Sequence, residues 1–132
     1  MTGPGEDFDW DSLTFSLTQT DLMYVATCNL GEAWEVGEIR PYGMLEIDPA
    51  AGVLNYGQGI FEGMKAQRTL QGRIALFRPE ENARRFQRGA ARLGMPPVPE
   101  SMFIDAVEQV VAANSEWIPP SGRGALYVRP VL

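Results

Sequence analysis

Apolar residues in this chain fall into short runs broken by glycine, proline and asparagine, and then, past residue 79, into two stretches where they recur at helical spacing. Residues 22–28 have the composition of a first strand, and Asn29 to Gly31 supply the turn after it. Trp34, Val36 and Ile39 follow in a polar setting, punctuated by Pro41 and Gly43. Residues 44–47 read as a second short strand, closed by Asp48, Pro49 and Gly52. Residues 58–63 suit a short helix, and 64–70 with 73–77 read as two strands around a Gln71-Gly72 hairpin turn.

The clearest helix opens at Pro79, whose fixed φ suits a first turn. Glu80 and Glu81 complement the positive helix end, and Ala83, Phe86, Ala90 and Leu93 recur on one side. Gly94 and Pro96 end it. A second helix over 99–115 gathers Phe103, Ala106, Val107, Val110 and Val111 on one side. Both stripes predict core. After a Pro/Gly-rich loop at 118–124, residues 125–132 read as a last strand, with Leu126 and Val128 on one face and Tyr127 and Arg129 on the other. Consecutive hairpin strands with two helices predict an α+β fold, a mostly antiparallel sheet carrying the helices. Residues 1–20 read as an arm docking through Phe8, Trp10, Leu13 and Phe15, and 21–132 as the small domain itself. The apolar ending at Leu132 suggests a domain cut short at its C-terminal end.

Composition narrows the chemistry. With 132 residues, 45% of them hydrophobic and 21% charged, the chain has ordinary globular usage and can bury a real core. Histidine is absent, which excludes His-dependent triads and zincin-type metal sites; the single Cys28 excludes an internal disulfide and a thiolate zinc site, and suits a buried thiol. No metal site is expected. A net charge of −6 argues against nucleic-acid binding. Charge is uneven, however: residues 65–92 hold eight basic residues against Glu80 and Glu81, a local +6, so the rest of the chain carries −12. Such a region suits a small anion, and equally a solvated helix face. The acidic, arginine-free amino terminus resembles neither a signal nor a transit peptide, and no apolar run reaches the length of a membrane span. An intracellular soluble protein, cytoplasmic by default, is expected, with chloroplast or mitochondrion open if a leader has been lost.

One stretch looks committed to a task. Residues 54–66 place Gly57, Gly59 and Gly63 among Tyr56, Phe61 and Glu62, so backbone that can approach a ligand closely carries aromatic walls and one charge. The G-x-G-x-x-x-G spacing misses the dinucleotide fingerprint by one residue and lacks a P-loop ending. On residues alone, a tight strand-to-helix turn with inward aromatics is the preferred explanation, since most glycine clusters are punctuation.

Taken together, residues 54–66, 76–85, 92–96, 117–120 and 125–132, with 20–25 upstream, resemble the branched-chain amino-acid aminotransferases, pyridoxal-phosphate (PLP) enzymes of fold type IV, most closely the plant and bacterial long forms. The match runs through nearly the whole chain in order. Gln67 departs where the family usually has an aromatic residue, and Gly94 where it often has cysteine.

The resemblance implies roles for particular residues. Arg85 matches the arginine that binds the cofactor phosphate, a task suited to the paired donors of a guanidinium. Tyr56, Phe61, Tyr127 and Arg129 match residues that build the substrate pocket, aromatic walls for a branched side chain and polar groups for a second carboxylate. Lys65, the sole lysine, matches a position that is not the Schiff-base lysine. The resemblance therefore implies no catalytic residue in this chain, a cofactor-lysine domain lying outside it, and inactivity of the chain alone. The family reaction transfers the amino group of leucine, isoleucine or valine to 2-oxoglutarate in a homodimer. D-amino-acid aminotransferase or aminodeoxychorismate lyase activity, or a non-catalytic paralogue that partners a complete subunit, are the alternatives.

Overall fold

The computed structural model describes residues 3–132. The strands are β1 (Leu22–Val25), β2 (Glu38–Pro41), β3 (Met64–Arg68), β4 (Ile74–Leu76) and β5 (Leu126–Val128); the helices are α1 (Gly52–Tyr56), α2 (Pro79–Arg92) and α3 (Glu100–Ala113). The expected α+β architecture is present, with the antiparallel pairing divided between two sheets. One contains β1 and β2, the other has the order β4-β3-β5.

The core lies between α2, α3 and the inner face of the three-stranded sheet. Ala83 and Phe86 of α2 meet Phe103, Val107 and Val111 of α3, with Met64, Ala66 and Val128 from the sheet. The rings of Phe86 and Phe103 pack with centroids 5.3 Å apart. Both helices arise where the apolar spacing predicts them. Gly94, at φ 67°, makes the left-handed turn that ends α2. Leu93 closes the helix at the rim of the core, 39% exposed, because the stripe has drifted outward by that turn.

Three expectations are corrected. The second strand is Glu38–Pro41 and not 44–47: β2 pairs with β1, Ile39 opposite Tyr24, whereas Met44, Leu45 and Ile47 have no partner strand among the described residues and stand exposed. The helix expected at 58–63 lies earlier, at Gly52–Tyr56, and stops where Gly57 turns left-handed at φ 64°. Residues 60–62 are instead extended, because the chain end pairs with them: Ile60 and Leu132 exchange two N–H···O bonds of 2.9 Å, and the Glu62 N–H donates to the Pro130 carbonyl. Cys28 is half-buried, its thiol donating to the backbone oxygens of Asn29 and Glu32, rather than sunk in the core.

Of the arm, residues 1 and 2 lie outside the described residues. Phe8 packs edge-on against Trp10 and Trp117, and Asp21 accepts from the Gly3 N–H and the Trp117 indole. Phe15 is fully exposed and anchors nothing. Asn114, buried just past α3, binds the small sheet to that helix: its Oδ1 accepts from the Leu22 N–H, while its Nδ2 donates to the Leu22 and Val110 carbonyls.

Candidate functional site

The segment from Phe61 through β3 alternates strictly, as a strand with one buried face must. Glu62, Met64 and Ala66 point inward and are buried; Phe61, Lys65 and Gln67 are exposed on the other side. The neighbouring strand β5 repeats the pattern, with Val128 buried and Tyr127 and Arg129 outward. Register does the rest. Phe61 lies opposite Val131, and Lys65 opposite Tyr127, so the outward residues share one face.

On that face the Arg129 guanidinium carbon stands 5.2 Å from the centroids of both the Phe61 and the Tyr127 rings. Each ring offers its electron-rich face to the cation, which keeps Arg129 over the sheet while leaving its donors available. Gly63 makes this packing possible: a Cβ there would lie 2.3 Å from the Tyr127 phenol oxygen. An open depression of about 310 Å³ adjoins the cluster, lined by Val53, Gly59, Phe61, Arg129 and Val131 among others. The arrangement combines apolar walls with a cation, which suits a ligand having an apolar part and a carboxylate.

Arg85 approaches from α2. Its Nε and Nη2 donate to the two carboxylate oxygens of Glu62 at 2.5 and 2.7 Å, a bidentate pair. The pair is lopsided: the Glu62 side chain is 4% exposed and that of Arg85 63%. Asn82, one turn before Arg85 on the same helix face, donates to Glu62 Oε2 at 2.8 Å and to the Gly63 carbonyl at 3.2 Å. The Arg85 hydrogen bonds hold the Glu62 carboxyl below the usual carboxylate range against the opposing effect of burial, with Asn82 and the Gly63 N–H assisting. The same contact raises the Arg85 guanidinium further.

The five residues singled out from sequence thus separate into groups. Phe61, Tyr127 and Arg129 come together; Arg85 is tied to Glu62, the residue next to Phe61. Tyr56 stands apart at the end of α1, 88% exposed, without a side-chain hydrogen bond or ring pair among the described residues. Glu62 as the partner of Arg85, and Asn82 beside it, escaped the sequence reading. The available signal was a lone carboxylate on the buried phase of an alternating run. Part of the local positive charge is paired on the spot, since Arg78 and Arg84 share Glu81 and Arg84 also reaches Glu100.

A phosphate monoester needs cationic donors that are not fully spent. Arg85 meets that requirement: among the described residues its hydrogen bonds go only to Glu62, and the Nη1 side of the guanidinium remains uncommitted at the surface. The residues present therefore fit a phosphate-bearing cofactor at one edge. Among the described residues no group of three or more metal-ligating side chains exists, and no helix is long and apolar enough to cross a membrane.

No family model matches the chain. Relatives do. The chain is 52% identical over 123 residues to a methionine aminotransferase of Arabidopsis thaliana, covering 93% of this chain and 35% of that protein. It is 53% identical over 126 residues to a chloroplastic branched-chain amino acid aminotransferase of Humulus lupulus, covering 96% and 31%. A mitochondrial branched-chain aminotransferase of Arabidopsis thaliana is 51% identical over 127 residues. The chain spans about a third of the length of these curated relatives. Among solved structures, a branched-chain amino acid aminotransferase of Thermobaculum terrenum in its PLP form shares the fold, with a TM-score of 0.56 at 23% identity over 71% of this chain and 29% of that one. Small antiparallel sheets with packed helices, and likeness to these relatives along nearly its whole length, make the chain similar to the branched-chain amino-acid aminotransferases over about a third of their length.

Proposed function

We propose that this chain supplies the small domain, residues 21–132 preceded by the arm 1–20, of a PLP-dependent enzyme that moves the amino group of leucine, isoleucine or valine to 2-oxoglutarate. The reading is carried by the meeting of Phe61, Tyr127 and Arg129 on one open sheet face, in a chain whose relatives bear the names of branched-chain aminotransferases. Phe61 and Tyr127 wall an apolar side chain, while Tyr56, which matches a family pocket residue, stands exposed at the end of α1. The Arg129 guanidinium and Tyr127 hydroxyl orient the second carboxylate of 2-oxoglutarate. Arg85 binds the cofactor phosphate. PLP, when bound, supplies the electron sink for amino transfer.

Lys65 lies on the exposed face opposite Tyr127 and is not the Schiff-base lysine, so the chain by itself does not turn over; that lysine and a second subunit of the homodimer come from outside the described residues. A methionine-directed specificity is a second reading, favoured by 52% identity to a protein named for methionine. Assays of leucine with 2-oxoglutarate and PLP test the proposal. The chain alone is expected to form no glutamate, and a protein joining it to a family lysine domain is expected to form it, with Arg129→Ala raising the KM for 2-oxoglutarate. Turnover by the chain alone, or an unchanged KM, overturns the assignment; a preference for methionine over leucine selects the second reading.

A further inference from the structure

We propose that Glu62 is a positioning residue, a buried carboxylate that clamps the Arg85 guanidinium by one edge so that its other edge is presented to a phosphate monoester. This rests on the reading of Arg85 as the phosphate-binding arginine. A free arginine side chain samples many rotamers and loses that freedom when a ligand fixes it. Here that ordering precedes the ligand. Two parallel hydrogen bonds to Glu62 fix the plane of the guanidinium, and Glu62 cannot follow a moving arginine, because it is enclosed and held by Asn82 and by the Gly63 N–H at 3.3 Å.

The neighbouring Arg84 shows what α2 does without such a clamp. It divides its donors between Glu81 and Glu100, both partly exposed carboxylates on flexible stems, and Arg78 competes for Glu81. Arg84 is solvated. Arg85 combines an exposed head with a buried counter-ion, an arrangement that spends one guanidinium edge on the protein and leaves the other for a ligand. The clamp also joins the two parts of the site: Glu62 follows Phe61 in the chain, so the backbone that sets the aromatic wall also sets the arginine.

The test compares the chain with Glu62→Gln, Asn82→Ala and Arg85→Ala variants by NMR, reading the Arg85 Nε–H signal and titrating with pyridoxal 5′-phosphate, inorganic phosphate and unphosphorylated pyridoxal. The expected result is a slowly exchanging Nε–H in the unmodified chain that exchanges rapidly in Glu62→Gln. Affinity for the two phosphate probes should fall about tenfold in Glu62→Gln, less in Asn82→Ala and most in Arg85→Ala, with the response to pyridoxal unchanged. Backbone amide dispersion reports folding, and Asn82→Ala carries the test if Glu62→Gln unfolds. A slowly exchanging Nε–H that persists without the carboxylate overturns the clamp, whether or not the probes bind. Glu62→Gln binding phosphate as well as the unmodified chain, while Arg85→Ala loses it, overturns the clamp and leaves the phosphate reading standing. Arg85→Ala with undiminished affinity sinks the phosphate reading itself.

Discussion

The two faces of the segment running from Phe61 through β3 share a backbone and little else. Inward, Met64 and Ala66 join a close-packed cluster with Phe86 and Phe103, where every neighbour is fixed. Outward, Phe61, Lys65, Tyr127 and Arg129 stand in the open, and Arg129 is held over the two rings by cation–π contacts rather than by enclosure. The difference separates two duties: the inner face sets stability, and the outer face can vary its chemistry without threatening the fold. Glu62 is the exception that links them. It sits on the inner phase, yet its charge is directed to an arginine whose head is at the surface.

The largest effect should come from striking the inner face. Phe86→Ala removes a buried ring at the centre of the helix–helix contact and is expected to cost about 3–5 kcal/mol, measured by denaturant unfolding. A loss below about 1 kcal/mol would mean that the cluster is not close-packed, and the contrast between faces would dissolve.

Next comes acid. Because the folded value of Glu62 lies below its unfolded one, its stabilisation is fully present above the ordinary carboxylate range and is lost as pH falls through the depressed value. Unfolding midpoints should therefore drop on acidification, and Glu62→Gln should flatten that part of the profile. An identical acid slope in the variant would place the titrating group elsewhere.

The smallest effect is on the outer face alone. Gly63→Ala meets the far end of the Tyr127 side chain, which can swing away, so stability should change by about 1 kcal/mol or less while the Tyr127 ring leaves Arg129. The ring shift is readable from tyrosine NMR signals. A large destabilisation with an unmoved ring would show that the outer face is as tightly fixed as the inner.

What could be read from sequence follows the range of the forces involved. The helices α2 and α3 were legible because apolar period, Pro79 and Gly94 act within a few residues. Strand β2 was not, because a strand is defined by its partner: Ile39 and Arg40 become strand residues by lying opposite Tyr24 and Met23, while the more apolar run at 44–47 finds no partner strand among the described residues. The extended path of residues 60–62 is decided by Pro130 and Leu132, some seventy positions on. The alternation that puts Tyr127 and Arg129 on one face was legible, being local. Their meeting with Phe61 was suggested by family resemblance, and the geometry supplies the cation between the rings. The Glu62–Arg85 pair spans strand and helix across twenty-three positions, and no local pattern announces it.

The buried amide of Asn114 imitates a peptide group, offering Leu22 one acceptor and one donor as an adjacent strand would. It thereby substitutes for a third strand at that edge of the β1–β2 ladder, and it does so from the end of α3. The small sheet cannot peel away without stripping that buried amide of two of its three side-chain hydrogen bonds. Sheet and helix end therefore form one cooperative unit of local unfolding, although some ninety residues of chain separate them.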